Sequence, residues 1–207
     1  MKISHWIYLL LVNIFLFSSC IHKNVDKLKA ESDDTLDMEE LLRLYEAKEY
    51  QQFIDKVEVE INKSDDDFGL QIGLAVAYGE IGNYEKAFFY ARKQLQMDSG
   101  DYYAMLVIGD LHQALENPDS AEIYYNRVIE LHPTYAKVYL NLAQLYEKEG
   151  KKQEAINNYI GAAALFDYNN HKEQVVTISN KVLELDPTNK QAKYFLEKIH
   201  IKAPKLE

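Results

Sequence analysis

Six histidines, one cysteine and 33 acidic side chains are the groups with which this chain could do chemistry. His5, His22, His112, His132, His171 and His200 never stand four residues apart, the spacing at which two imidazoles share a helix face and grip one metal ion. Asp65-Asp66-Asp67 concentrates carboxylates, but a calcium loop needs oxygen ligands at alternate positions and a closing glutamate. Such residues serve equally to cap the next helix. The sequence holds no glycine-rich phosphate loop and no serine nucleophile elbow, and its carboxylates are spread too evenly to argue a paired acid and base. The expectation is therefore no catalytic residue, no metal site, no cofactor and no enzyme. Cys20 is the one side chain placed for a covalent reaction, two serines after an apolar run from Trp6 to Phe17 interrupted only by Asn13. With no second thiol, the fold must be held by packing alone.

The elements that do the packing announce themselves by period. Ala87, Ala121 and Ala155 lie 34 residues apart, and frames of that length starting at Asp34, Phe68, Tyr102 and Ala136 tile residues 34–169 without a gap. The eighth position of each frame holds Leu41, Ala75, Gly109 and Ala143, and the eleventh Leu44, Tyr78, His112 and Tyr146. The twentieth holds Phe53, Ala87, Ala121 and Ala155, and the twenty-fourth Val57, Ala91, Tyr125 and Tyr159. Small residues facing large ones at fixed offsets let repeated helices interdigitate, and a bulky inward position gives His112 a packing role. Pro118 suits a first helical turn, while Pro133 and Pro187 stand just past helix ends. Pro187 lies 54 residues after Pro133, which breaks the period, so Asn157–Phe166 is expected to end one repeat and begin another.

These positions, with Gly82, Gly150 and Glu130-Leu131-His132-Pro133, resemble the tetratricopeptide repeat over about two thirds of the chain. The resemblance implies an all-α fold, a right-handed superhelix of about ten antiparallel helices in four to five repeats, each helix roughly 12–15 residues long. Phe53, where a small residue is usual, marks the first frame as a capping repeat. In that family the second, fifth, ninth and twelfth positions of each first helix line a concave groove. Here they are Thr35, Met38, Leu42 and Tyr45, then Gly69, Ile72, Val76 and Gly79. The third frame gives Tyr103, Leu106, Asp110 and Gln113, and the fourth Lys137, Leu140, Gln144 and Glu147. The fifth position is apolar throughout and Lys137 stands alone, which suits a protein or peptide ligand docking as an extended segment or amphipathic helix, and not a carboxylate clamp.

The first residues follow a different logic. Lys2, a short apolar core and Ser18-Ser19-Cys20 make a signal-peptide layout whose core is too short for a comfortable span of about 20 residues. Phe17-Ser18-Ser19-Cys20 resembles a bacterial lipobox, which implies cleavage after residue 19 and acylation of Cys20; an ordinary cleaved signal is the alternative. Two or three acyl chains would anchor the protein to a membrane. Ile21 after the cysteine, by resemblance to bacterial sorting rules, points to the outer membrane facing the periplasm. Residues 20–33 then read as a lipidated cysteine and tether, 34–201 as the repeat domain and 202–207 as a tail.

The net charge is −10, and loss of residues 1–19 takes away Lys2 alone, leaving 22 basic against 33 acidic side chains. Such a chain does not neutralise phosphates, so nucleic acid is an unsuitable partner. The reading is a lipid-anchored interaction scaffold at a bacterial envelope; the alternative is a self-assembling structural lipoprotein, a homo-oligomer. Cys20→Ala is expected to release the protein from membranes in a fractionation experiment, and continued membrane association would remove the acyl anchor from the account.

Overall fold

The computed structural model describes residues 38–61 and 70–202. Among them are ten helices and no strand: α1 (Met38–Glu46), α2 (Tyr50–Ile61), α3 (Leu70–Glu80), α4 (Tyr84–Met97) and α5 (Tyr102–Ala114). They continue as α6 (Pro118–Leu131), α7 (Ala136–Lys148), α8 (Lys152–Tyr168), α9 (Lys172–Leu185) and α10 (Lys190–Lys202). The all-α arrangement expected from the period is the one found. Asp65–Asp67 and Cys20 lie outside the described residues, as does the side chain of Met38.

Local signals explain where helices begin and stop. Asn83 and Asn117 cap α4 and α6 by accepting from the backbone N–H groups of Lys86 at 3.2 Å and Ser120 at 3.4 Å. Pro118 occupies the first turn of α6, where a missing N–H costs nothing. The fifteenth position of every frame turns left-handed: Lys48 (φ 61), Gly82 (φ 80), Glu116 (φ 56) and Gly150 (φ 74). At each, the next N–H reaches back to close the helix, as from Asn83 to Tyr78 O at 2.8 Å and from Lys151 to Tyr146 O at 2.9 Å. Glycine adopts this conformation without strain, whereas Lys48 and Glu116 hold it at a cost of about 1–2 kcal/mol.

Contacts divide the chain into two compact units, residues up to 107 and residues from 108, with the boundary inside α5. In the first, consecutive helices α1 to α4 pack in sequence order around Leu41, Leu44, Phe53, Val57, Leu74 and Ala75, all buried. In the second, α6 packs on α7, α7 on α8, and α9 on both α8 and α10. Its core gathers Ala143, Ala155, Tyr159, Ala163, Val182 and Phe195. The segment Asn157–Phe166 is a correction: it lies within one unbroken 17-residue helix, α8, and no repeat boundary falls there. Val175, Ile178 and Val182 of α9 cover the apolar face presented by Ala162, Ala163 and Phe166, so an extended helix serves neighbours on two sides. That extra helix shifts Pro187 off the period.

The small-against-large rule has an atomic basis at Gly109. A Cβ there would lie 2.5 Å from Cε1 of Tyr125, a ring with no solvent exposure and no room to retreat. Gly109→Ala is expected to destabilise the protein by about 1–3 kcal/mol, read from the urea unfolding midpoint, without loss of helix signal in the native baseline.

Candidate functional site

The groove positions divide by accessibility. Tyr45, Ile72 and Leu106 are buried, at 3%, 7% and 5% exposure, and contribute mainly to packing. Leu42, Val76, Tyr103, Asp110, Leu140 and Gln144 are half-buried, each with part of its side chain open. Substituting Leu106 would therefore probe the core as much as any docking surface.

The second unit carries a polar ladder on this face. Tyr125 of α6 donates its hydroxyl proton to Asp110 Oδ1 at 2.7 Å, and Asn141 Nδ2 of α7 donates to the same oxygen at 2.5 Å. The Tyr125 hydroxyl also lies 2.8 Å from Gln113 Oε1, a second acceptor within reach of its one proton. Burial pushes the Asp110 carboxyl up from its usual range, against the pull of the nearby Lys137 ammonium and the two hydrogen bonds. Burial and the Asp110 charge push the Tyr125 hydroxyl well above its ordinary value. Lys137, which spacing alone presents as isolated, is in fact 3% exposed and faces this carboxylate electrostatically. Asn141 Oδ1 remains buried without a hydrogen-bond partner.

A second rung repeats the first with different chemistry. Tyr159 donates to Glu147 Oε2 at 2.8 Å, and Lys181 of α9 meets Glu147 Oε1 at 2.6 Å. Gln113–Tyr125 and Glu147–Tyr159 are both twelve residues apart, one repeat on from each other. Tyrosine at the eleventh position reaches back instead, as Tyr146 does to Glu122 at 2.7 Å. In the first unit Tyr78 and Tyr90, stacked at 5.6 Å, share Glu58 at 2.6 and 2.8 Å, with Lys86 completing the cluster at 3.1 Å. Burial alone would raise the Glu58 carboxyl, but the three donors hold it below its usual value. His112 stacks on Tyr124 with centroids 5.8 Å apart, the packing role its position implies.

Sequence reasoning named Asp110, Gln113, Lys137 and Glu147 as groove residues and missed Asn141 and Lys181. The twelve-residue pairing was visible in the sequence. Lys181 was not, because α9 falls outside the period. Among the described residues no group of three or more His, Cys, Asp or Glu is gathered as a metal centre requires, and no helix is long and apolar enough to cross a membrane.

Comparison with known proteins agrees with this architecture. Tetratricopeptide-repeat profiles match residues 70–101, 102–135 and 124–157. A curated relative, tetratricopeptide repeat protein 37 of Xenopus laevis, is 24% identical over 113 residues, 55% of this chain; the chain spans only 6% of that relative's length. The crystal structure of MamA superposes with a TM-score of 0.58 at 19% identity, covering 82% of this chain and 98% of the other. A thermophilic tetratricopeptide-repeat protein of Thermus thermophilus gives 0.56 at 14% identity, over 77% and 95%. The type III secretion translocator chaperone SycD of Yersinia enterocolitica gives 0.52 at 21%, over 59% and 85%. Residues 70–157 match the tetratricopeptide repeat, and the chain has the all-α fold of these structures.

The tyrosine hydrogen bonds set a pH dependence. Burial, then the Glu58 hydrogen bond, push the Tyr90 hydroxyl from 10.0 to about 12. Tyr146 and Tyr159 move the same way, by burial first and their glutamate partners second. A folded-state value above the unfolded one means the native protein keeps protons that the unfolded chain releases, so this stabilisation is complete below pH 10 and is lost as pH rises toward and beyond 12. The urea midpoint is expected to fall steadily across that window; a flat profile would show that these hydroxyls ionise at no cost to the fold.

Proposed function

We propose that this chain is a protein-binding scaffold, anchored through acylated Cys20 at a bacterial envelope membrane and presenting its repeat face to a periplasmic partner. One observation carries the binding assignment. The eighth, twentieth and twenty-fourth positions are closed by packing, whereas Leu42, Val76, Tyr103, Asp110, Leu140 and Gln144 keep part of their side chains open on the opposite pattern of positions. In the second unit, half-buried Leu140 with the Asp110 carboxylate and the Gln144 amide suits a peptide segment that hydrogen-bonds along its length and buries alternate or helically spaced apolar groups. The signal-peptide layout and the lipobox-like Phe17-Ser18-Ser19-Cys20 support the anchor and the outer-membrane location. A self-assembling lipoprotein is the second reading, favoured by large apolar residues exposed on outer helix surfaces.

Photocrosslinking residues placed in cells at Leu140 and, separately, at Gln144 are expected to capture the same partner, and one placed at exposed Gln153 is expected to capture none. Leu140→Asp should cut capture from the Gln144 probe at least about tenfold, a loss of about 1.4 kcal/mol in binding, while circular dichroism stays helical. Equal capture from Gln153, or capture unchanged in the helical variant, would move the site off these positions.

A further inference from the structure

Among the described residues, six of the nine large hydrophobics exposed at the surface form three pairs, each pair one 34-residue repeat apart. They are Ile81 and Leu115, Phe89 and Ile123, and Met97 and Leu131. Within each repeat they stand eight residues apart, and the residue midway between neighbours is charged. The row reads Ile81-Glu85-Phe89-Lys93-Met97 on α4 and its flanking turn, and Leu115-Asp119-Ile123-Arg127-Leu131 on α6 and its turn. Both have the order apolar, acidic, apolar, basic, apolar. Phe89 and Ile123, at the centres, are 60% and 66% exposed.

The flanking repeats do not share the row. At the two positions of Glu85 and Phe89, the first frame has Gln51 and Asp55 and the fourth Gln153 and Asn157. Each of those pairs is consumed within its own helix, Gln51 Nε2 donating to Asp55 Oδ1 at 2.8 Å and Gln153 Nε2 to Asn157 Oδ1 at 3.0 Å. The outer surface of α4 also borders an open depression of about 680 Å³ edged by Glu85, Phe88, Phe89, Arg92, Lys93 and Gln96. There the Arg92 guanidinium lies 5.2 Å over the Phe88 ring.

We infer that each row is by itself a self-association surface, on which a second copy of this chain lays a row of the same order in the opposite direction. A line of every fourth residue is the ridge along which two helices commonly interdigitate, crossing at about −50°. The charge order decides both occupant and direction. Antiparallel pairing about Phe89 sets Glu85 opposite Lys93 of the second copy; pairing α4 with α6 sets Glu85 opposite Arg127 and Lys93 opposite Asp119. Parallel pairing would set like charges together. A row that reads acid-to-base in one direction is complementary to itself when reversed, which an unrelated partner would match only by coincidence. Each row is also locally neutral, on a chain whose net charge is −10.

Charge exchange tests this without touching the core. In the full chain purified in detergent, sedimentation velocity over a concentration series is expected to show wild type associating reversibly. Lys93→Glu with Arg127→Glu makes both rows wholly acidic, and Glu85→Lys with Asp119→Lys makes both wholly basic. Each variant alone should associate at least about tenfold more weakly, and an equal mixture of the two should recover wild-type association. Wild type that stays monomeric throughout, variants that associate as well as wild type, or a mixture that fails to recover would each overturn the inference. If either charge variant loses helix signal, Phe89→Gln with Ile123→Gln replaces it, with the same weakening expected and an unchanged association again overturning the proposal.

Discussion

Close approach of helix backbones is the constraint on which the rest of this structure depends. It is made possible by removing side chains at fixed places: Ala75, Gly109 and Ala143 at one offset, Ala87, Ala121 and Ala155 at another, all fully buried or nearly so. Each small residue admits a large one from a neighbour, and Tyr125 against Gly109 shows how little slack is left. Interiors packed to this density do not tolerate an added methyl without displacement. The first repeat reaches the same end differently, with Leu41 and Phe53 both buried beside Tyr45, whose ring stands edge-on to Phe53 at 5.7 Å.

Tyrosine then does two jobs that aliphatic residues could not combine. Its ring fills the space left by alanine or glycine, and its hydroxyl emerges at the edge of the core to hold a carboxylate. Glu58, Asp110, Glu122 and Glu147 each receive such a bond. The consequence is a set of carboxylates held in fixed positions at the edge of the core. In the second unit these carboxylates are joined by Lys137, Asn141 and Lys181, which leaves the side chains involved little freedom.

The two faces of the middle repeats thus carry different information. Inward positions are shaped by packing and hydrogen bonding, with small departures from the repeat rule generating local polarity. Outward positions are free of packing demands, and there Ile81-Glu85-Phe89-Lys93-Met97 and its counterpart one repeat later retain a shared order that the helix core does not require. With the proposed attachment through Cys20, copies would be confined to two dimensions, which raises their effective concentration for the proposed association.

The sequence by itself determined the period, the helix count, the turn positions and the residues that close the core, because a repeat of fixed length writes the same steric rule several times and each copy checks the others. The twelve-residue spacing of Gln113–Tyr125 and Glu147–Tyr159 also stands in the sequence, whereas the exposure of Phe89 and Ile123 is read only from the structure. Tertiary structure decided what lies off that register. Asn157–Phe166 continues as helix since α9 and α10 supply an apolar face to cover it, a contact between segments whose spacing follows no repeat. Lys137 acquires Asp110, and Glu147 acquires Lys181, across helices whose mutual rotation the period leaves unspecified. Leu106 and Leu140 share a repeat position yet differ in burial, for accessibility depends on what the neighbouring helices leave uncovered and not on the residue itself.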